Sequence, residues 1–431
     1  MAENGAQYPF TRDVVQCPHP HFARMRAEDP VPQVGDLPFH LVTRHADIVS
    51  VAADPDTFRN GRTPDHPGFS AIDYFPTDPE VLELFKQAGA VPVLAHHDQP
   101  GHTRQRRLVS RWFTPKAVRT MWQDTIDSLT DELISSFEAD GVVDMMKQFA
   151  IPLPVRVIAR ILGFEDSSLS DLKRWSDAFL KSPAGSSSHE RWMRIVHDHL
   201  EAQQFLSGHI DDRLANPGKE DLLAALVAET REGGSTDEEP LTLAEVRSIV
   251  NQLLVAGNET TTQLIGQTMH AIVTTPGVVD RLRADPALVP RAVEEGLRYV
   301  SPVTGLYRAV ARDAEISGCP VAAGSILFMA WSSANRDESV FTNPQTFDID
   351  REDVQNHVAF GSGIHFCVGA NLARAEARAG IAALVQRLPG LRVEPDLDLD
   401  YGVALSNRML ETLPMRFDPV RAGSAPAAGA R

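Results

Sequence analysis

Hydrophobic side chains recur at every third or fourth position from about Thr114 to Thr275, and this spacing predicts a mainly helical region. Amphipathic segments such as 117–138 are separated there by short polar breaks. After Pro302 the pattern changes, because short apolar runs alternate with Gly and Pro turns in 315–331 and predict short strands. One further strand is expected at Phe39–Thr43. The pattern therefore predicts a mainly α fold with a small β lobe.

The longest predicted helix covers residues 242–275. Thr242 and Glu245 have the spacing of a capping box, and the helix is expected to end before Pro276. At about 1.5 Å per residue it would span roughly 50 Å, enough to cross a whole domain. Its middle carries Gly257 and then polar residues, and a mid-helix glycine costs about 1 kcal/mol relative to alanine. A tolerated kink, with threonine hydroxyls satisfied locally, is the simplest interpretation of 261–262.

Two loops interrupt the predicted elements. Residues 60–100 are rich in Gly, Pro and Asp and contain one predicted helix, Pro79–Gln87, while 182–190 are small and polar. Long loops within a compact chain are usually functional or mobile. No linker or repeat divides the interior, so we expect one domain over 1–420, followed by a disordered tail at 421–431.

Charge and composition exclude several classes of function. The chain has 41 basic and 58 acidic residues, a net charge of −17, which argues against a nucleic-acid partner and gives no support for an anionic membrane surface. No run of 18 apolar residues occurs and the first ten residues do not form a signal peptide, so no membrane association is expected. Three widely spaced cysteines favour a reducing compartment, most simply the cytoplasm.

A glycine-rich loop at 360–369, Phe-Gly-Ser-Gly-Ile-His-Phe-Cys-Val-Gly, contains the most informative cysteine. A helix is predicted directly after it, at 370–388, so Cys367 lies near free N–H groups and the positive end of a helix dipole, which stabilise a thiolate. A single cysteine is usually a small buried hydrophobe. A zinc site would need more ligands than the nearby His365, and a catalytic nucleophile would need a histidine base, which the chain could supply.

This loop resembles the haem-binding signature of the cytochrome P450 family at every fixed position. The resemblance implies a cytochrome P450 fold as a single haem domain, with haem b as the cofactor and Cys367 as the axial thiolate ligand of its iron. It also implies that Phe360, Gly361, His365 and Gly369 contact the cofactor. Such a thiolate pushes electron density towards the iron and favours cleavage of the O–O bond.

Residues 256–260 in the long helix, Ala-Gly-Asn-Glu-Thr, resemble the oxygen-binding motif of the same family. Cleaving dioxygen consumes protons, so a hydroxyl beside it and a carboxylate that carries protons from solvent suit the chemistry. The resemblance gives Thr260 the first role and Glu259 the second. Ala256 and Gly257 are expected to leave room above the iron.

Other resemblances concern charged residues. Glu295 and Arg298 match a buried structural pair of the family, with Arg351 as its third member, although Gly296 stands where helix formers are usual. Four residues match partners of the haem propionates, namely His102, Arg106, Arg308 and His365. Gly101, before His102, replaces a common glutamate.

The combined resemblance implies a monooxygenase that inserts one atom of O₂ into an apolar small molecule of terpenoid, steroid, macrolide or aromatic type. Its pocket is expected to be lined by the 60–100 loop, 175–195, Ala256, Val303–Leu306 and Ala404–Asn407. No GxGxxG unit for a flavin or nicotinamide occurs, so a separate ferredoxin and its reductase are the expected electron donors.

A local basic patch is expected to receive the ferredoxin despite the acidic net charge. Its expected members are Arg104, Arg107, Arg111, Arg374 and Arg378. Two alternatives remain open. One is a peroxide-driven hydroxylase or decarboxylase, whose representatives typically lack the acid–alcohol pair. The other is a non-catalytic haem sensor or carrier.

Overall fold

Helices form most of the protein in the computed structural model, which describes residues 12–33, 39–61, 78–87, 89, 91–180, 188–231, 239–394, 397–403 and 406–420. The α-helices are α1 Arg12–Gln16, α2 His19–Glu28, α3 His45–Ala53, α4 Pro79–Gln87, α5 Gly101–Ser110, α6 Pro115–Ala117, α7 Gln123–Ser135, α8 Pro152–Leu162, α9 Leu169–Leu180, α10 His189–Ala215, α11 Leu222–Ala228, α12 Leu243–Thr274, α13 Val278–Ala284, α14 Val289–Val300, α15 Trp331–Ala334 and α16 Ala370–Arg387. Two π-helical segments, Val118–Trp122 and Met146–Ala150, and four 3₁₀ turns, Leu94–His96, Pro286–Leu288, Val354–Asn356 and Gly363–His365, join them.

The strands are short and form four small sheets. They are β1 Phe39–Val42, β2 Phe58–Arg59, β3 Val142–Asp144, β4 Leu306–Val310, β5 Ala314–Ile316, β6 Cys319–Val321, β7 Ile326–Met329, β8 Arg392–Val393, β9 Tyr401–Val403, β10 Arg408–Leu410 and β11 Pro414–Arg416. The largest sheet has the order β1-β7-β4-β2, and only its β1–β7 pair is parallel. The strands β3, β11 and β8 form a second sheet, while β5–β6 and β9–β10 are two-stranded hairpins. The predicted mainly α fold with a small β lobe is confirmed.

Helix α12 is the central element of the large hydrophobic core. Thr242 caps it by accepting from the Glu245 N–H at 3.1 Å, and the Glu245 carboxylate accepts from the Thr242 N–H at 2.9 Å, so the predicted capping box is confirmed. The helix continues to Thr274 without interruption and packs against α8, α9, α14 and α16. The helical hydrogen bonding therefore continues through Gly257 and the polar residues that follow it. Among the described residues, no helix is long and apolar enough to cross a lipid bilayer.

Strands β2 and β3 were not expected from the sequence, since each has only two or three residues and lies in a region of helical or loop character. Each lies at the edge of its sheet. The expected tail 421–431 and most of the loop 182–190 lie outside the described residues.

A buried ion cluster fixes α14 against the chain that leads to the cysteine loop. The Glu295 carboxylate accepts two hydrogen bonds of 2.7 Å from Arg298 and two of 3.1–3.2 Å from Arg351, which confirms the predicted triad. Both guanidinium groups also donate to main-chain carbonyls, including that of Thr346 at 3.0 Å from each. Because every charge is paired inside the protein, the cluster avoids the large cost of an isolated buried charge.

Gly296 has a structural reason that its sequence position did not reveal. A Cβ atom at Gly296 would lie 2.3 Å from the Thr268 hydroxyl on α12, so α14 approaches α12 too closely there for any side chain. The departure from usual helix formers therefore reflects tight packing between two helices.

This packing makes a prediction about stability. Gly296→Ala should lower the free energy of unfolding by about 1–3 kcal/mol because the added methyl group overpacks the α12–α14 contact. Gly208→Ala on α10 is the matched control: nothing lies within 4 Å of its Cβ position, so alanine there should be neutral or stabilise by about 0.4–1 kcal/mol. Denaturant titration of both variants measures the difference, and equal effects would contradict the packing explanation.

Candidate functional site

The cysteine loop is a tight turn that its glycines make possible. The Cys367 N–H donates to the Phe360 carbonyl at 2.9 Å, and the 3₁₀ turn Gly363–His365 lies between them. Gly361 and Gly363 have φ values of +71° and +70°, which L-residues rarely adopt. A Cβ atom at Gly363 would also lie 2.3 Å from the Ala52 carbonyl oxygen. The predicted need for glycine at these two positions is confirmed.

The thiol of Cys367 experiences opposing influences. Burial raises its pKa above the usual value, while the Gly369 N–H and the positive charges of Arg106 and Arg374 act in the opposite direction. Helix α16 begins at Ala370, three residues after the thiol. The start of this helix is thus not sufficient to favour the thiolate. A bound metal cation would be the dominant local charge and would deprotonate the thiol.

Four predicted propionate partners form one cluster beside this loop. The rings of His102 and His365 lie 4.2 Å apart, Arg106 donates to the Phe366 carbonyl at 2.5 Å, and Arg308 donates to the Tyr307 carbonyl at 2.8 Å. His102 and Arg308 are buried. His102 Nδ1 and His365 Nε2 are buried without a hydrogen-bond partner.

The electrostatics of this cluster favour a bound anion. Burial lowers the pKa of His102 to about 4, with a further contribution from Arg106. Burial, followed by the charges of Arg308, His102 and Arg106, lowers the pKa of His365 to about 2. Burial also lowers the pKa of Arg308 to about 10, against the attraction of Asp98. Both imidazoles are therefore neutral near pH 7, and the cations of the cluster are Arg106 and Arg308, which a bound anion would stabilise.

Gly101 also has a steric reason. A Cβ atom at Gly101 would lie 2.1 Å from Cε1 of His97, so the His97 imidazole fills the space that a side chain at this position would need. The departure at Gly101 is therefore coupled to a histidine four residues earlier, and it leaves the neighbouring His102 buried in its cluster.

The predicted oxygen-binding residues lie on two faces of α12. Ala256 is exposed in an otherwise buried part of the helix, and the Thr260 hydroxyl donates to its carbonyl at 2.9 Å. Gly257 instead faces α8, where its Cβ position lies 3.1 Å from Ile158, so its lack of a side chain permits a close contact between the two helices. The expectation that it leaves room above the iron stays a prediction. The Thr262 hydroxyl is buried and has no partner among the described residues, contrary to the expected local hydrogen bond.

Glu259 is buried and lies in a chain of polar contacts that reaches α9 and β10. Lys173 on α9 forms an ion pair with it at 3.0 Å, and Lys173 also contacts Asp177, which is partly exposed. Gln263 donates to Glu259 at 2.8 Å and to the Leu410 carbonyl at 3.1 Å. The carboxylate therefore connects through Lys173 to the protein surface.

Comparison with known proteins supports the same assignment. A sequence profile described as cytochrome P450 matches residues 74–396. Cytochrome P450 107B1 of Saccharopolyspora erythraea is 36% identical over 409 residues, 92% of this chain and 94% of that protein. The chain belongs to the cytochrome P450 family.

Two further relatives of this P450 carry informative descriptions. Vitamin D(3) 25-hydroxylase of Pseudonocardia autotrophica is 34% identical over 95% of this chain and 96% of that protein. CYP109E1 from Bacillus megaterium, whose crystal structure is a complex with testosterone, has 30% sequence identity to this chain. Its fold matches with a TM-score of 0.80, and the match covers 95% of this chain and all of that one. The protein is accordingly a P450 monooxygenase, an oxidoreductase.

The cofactor of the family is haem b with a cysteine thiolate ligand, and the residues present fit it. Haem carries two propionates, and the cluster of His102, Arg106, Arg308 and His365 has unpartnered nitrogens and too few counter-charges. The loop that presents Cys367 is adjacent, because Arg106 donates to the residue before it. These residues are thus able to hold the propionates and the iron.

Sequence reasoning missed Lys173 as the partner of Glu259. In the sequence Lys173 and Asp177 have the i,i+4 spacing of an ordinary surface pair, and helical periodicity does not reveal which residue on a distant helix they approach. A buried carboxylate in the middle of α12 nevertheless requires a counter-charge, which was the available signal.

The Lys173–Glu259 pair makes a second stability prediction. Lys173→Met should cost about 1–3 kcal/mol of unfolding free energy, because it leaves a buried carboxylate without its cation. Lys86→Met is the control, since Lys86 is 75% exposed and should change stability by less than about 0.5 kcal/mol. Combining Lys173→Met with Glu259→Gln should recover most of the loss in denaturant titrations. Simple additivity of the two changes would show that the pair is not coupled.

Proposed function

We propose that this P450 inserts one atom of O₂ into an apolar small molecule of terpenoid, steroid, macrolide or aromatic type, with electrons from a separate ferredoxin and its reductase. The observation that carries the proposal is the cysteine loop, which presents Cys367 beside a cluster of two arginines and two histidines with unpartnered ring nitrogens. The acid and alcohol on α12 add the groups that oxygen chemistry needs.

In this proposal the Cys367 thiolate would hold the iron. Phe360, Gly361 and Gly369 belong to the loop that would let the cofactor approach the backbone, and a Cβ atom at Gly369 would lie 3.9 Å from the sulfur. The propionates would be held by His102, Arg106, Arg308 and His365. When bound, the thiolate-ligated haem supplies the electron push that favours O–O cleavage.

Thr260 and Glu259 supply the proton chemistry. The Thr260 hydroxyl, whose proton is donated to the Ala256 carbonyl at 2.9 Å, would accept a hydrogen bond from a water and hold that water next to the oxygen site. Glu259 brings protons from solvent, and its contact with Lys173 and Asp177 provides a route to the surface. The small side chain of Ala256 leaves space next to Thr260. A peroxide-driven enzyme or a haem carrier would have no need for this connected pair.

The substrate class rests on the relatives and on the walls of the expected pocket. One relative is described as a vitamin D(3) hydroxylase, and another binds testosterone. Val303 forms a bridge with Asn407 and the Thr304 N–H donates to the Ser406 carbonyl at 2.8 Å, so two expected wall segments adjoin. Ala404 and residues 181–187 lie outside the described residues. Ligands that shift the ferric iron from low to high spin identify the substrate.

The expected ferredoxin surface needs revision at Arg104. Its guanidinium is only 17% exposed and is held by Glu245 and the Pro240 carbonyl, so it belongs to an internal contact. Arg374 and Arg378 bond to Glu294, although Arg378 remains 43% exposed.

The revised docking surface retains the exposed cations of the expected patch. It comprises Arg107, Arg111 and Arg378 with Phe366, which is 42% exposed and directly precedes the ligand. An apolar centre with a cationic rim suits an acidic ferredoxin.

Two further expectations remain proposals. Residues 1–420 form one haem domain, which the continuous core around α12 supports. A cytoplasmic location rests on the widely spaced cysteines, each of which is free among the described residues.

The assignment of Cys367 has a direct spectroscopic test. The reduced, carbon monoxide-bound protein should show the red-shifted Soret band of a thiolate haem, and Cys367→Ser should lose this band. Cys319→Ser, at a partly buried cysteine in β6, should keep it. A Cys367→Ser protein that retains the band would disprove direct ligation, and its absence from the unaltered protein would sink the whole proposal.

The role of Thr260 is tested by coupling. With ferredoxin, its reductase and an identified substrate, Thr260→Ala should lower the amount of product formed per NAD(P)H consumed by about 10-fold or more. The reason is that the variant lacks the hydroxyl that directs protons to dioxygen. Thr260→Ser keeps the hydroxyl and should restore most of the coupling. Unchanged coupling in the alanine variant, or turnover supported by peroxide alone, would instead favour the peroxide-driven alternative.

A further inference from the structure

A cavity separate from the cysteine loop lies between α2, the C-terminal parts of α12 and α14, and the β9–β10 hairpin. Its volume is about 570 Å³, within the usual range for small-molecule sites. Two arginines, two histidines and two tyrosines are among its lining residues, namely Arg336, Arg408, His19, His270, Tyr299 and Tyr401. No residue of the loop 360–369 lines it.

Main-chain carbonyls, an amide side chain and two aromatic rings contact the two arginines. Arg336 is 4% exposed, donates to the Gln345 side chain at 2.7 Å and to the Tyr299 carbonyl at 2.8 Å, and stacks over the Tyr299 ring at 4.0 Å. Arg408 donates to the Val15 carbonyl at 2.9 Å and lies 3.4 Å from the centre of the Tyr401 ring. These contacts fix both guanidinium groups in position without neutralising Arg336.

The charge of the cavity wall is one-sided. Among the described residues, the lining contains no Asp or Glu. Arg336 Nε and His19 Nδ1 are buried without a hydrogen-bond partner. Burial lowers the pKa of His19 well below its usual value, and positive charges that include Arg336 and Arg408 lower it further. Burial likewise lowers the pKa of Arg336 to about 10.

A buried cation normally has a counter-charge, because desolvation without one is costly. An anion in the cavity would supply it. The wall also has an apolar part, formed by Pro20, Ala23 and Val300, which suits a hydrocarbon body attached to the charged group.

We propose that this cavity binds a small organic anion, a carboxylate or phosphate that carries an apolar body. The site is distinct from the haem and substrate sites, and it is a property of the folded chain whichever substrate the enzyme oxidises.

The first experiment uses three probes that share a ring system. These are 2-naphthoate, 2-naphthyl phosphate and the neutral 2-naphthamide, titrated calorimetrically into the haem-loaded protein. Saturating 4-phenylimidazole blocks the iron side, so binding at the substrate pocket does not contribute. At least one anion should bind about 10-fold or more tightly than the amide, because charge-assisted hydrogen bonds carry the affinity. The better anion identifies the class, whereas no anion binding, or equal binding of the amide, overturns the proposal.

The second experiment places the site without removing the structural Arg336. Ala23 lines the cavity and is half-buried on α2. Ala23→Glu introduces a carboxylate among the cations and should weaken anion binding by about 10-fold or more, while Ala23→Gln, of equal size and similar helix propensity, should retain more of it. Equal affinities in the two variants would overturn the assignment to this cavity.

The same two variants give a reading that needs no ligand. If the cavity is electropositive, Ala23→Glu should unfold at a temperature equal to or above that of Ala23→Gln, since its carboxylate gains cationic neighbours. A clearly lower unfolding temperature for the glutamate variant contradicts a cationic wall. Arg312→Gln, at a residue that is 66% exposed and does not line the cavity, is the control and should leave anion binding unchanged.

Discussion

The placement of the candidate iron ligand depends on one buried ion cluster. Glu295 fixes Arg298, and Arg298 donates to the Asn335 carbonyl at 3.0 Å. The side chain of Asn335 then accepts from the Val358 N–H at 2.7 Å, two residues before the loop whose carbonyl holds the Cys367 N–H. Hydrogen bonds, joined by Asn335 itself and by the short stretch of chain from Val358 to Phe360, therefore connect α14 to the cysteine. A buried carboxylate tolerates little displacement from its cations. The ion cluster therefore also fixes the position of the cysteine loop.

The departures from the family pattern follow from close packing rather than from altered chemistry. Gly101 and Gly296 stand where larger residues are usual, and in each case a neighbouring side chain occupies the vacated space, His97 in one and Thr268 in the other. Interiors are close-packed, so a smaller residue at one position permits a larger or closer one beside it. A single sequence shows only that the usual side chain is missing. The residue that fills the space is brought there by the fold, so it is not evident from the sequence alone.

Periodicity and local motifs predicted what depends on neighbours in sequence. The capping box at Thr242, the uninterrupted length of α12 and the glycines of the cysteine loop are all local properties, and the structure confirms them. The features that the sequence did not predict are contacts between elements. Gly257 faces Ile158 on α8, and Lys173 reaches Glu259 from α9, because the direction of a helix face is predictable while the helix it meets is not. The short strands β2 and β3 form for the same reason, through pairing with distant partners.

The candidate haem site and the separate cavity each contain a buried arginine. Arg308 and Arg336 are both buried, both donate to main-chain carbonyls, and burial lowers the pKa of each to about 10. Asp98 attracts Arg308, whereas the neighbours of Arg336 are Tyr299, which raises its pKa, and the cations Arg298 and Arg408, which lower it. In a chain of net charge −17, acidic residues are abundant, so their absence from the described wall of the cavity is not a matter of supply. The desolvation argument that assigns propionates to Arg308 therefore assigns an anion to Arg336 with equal force.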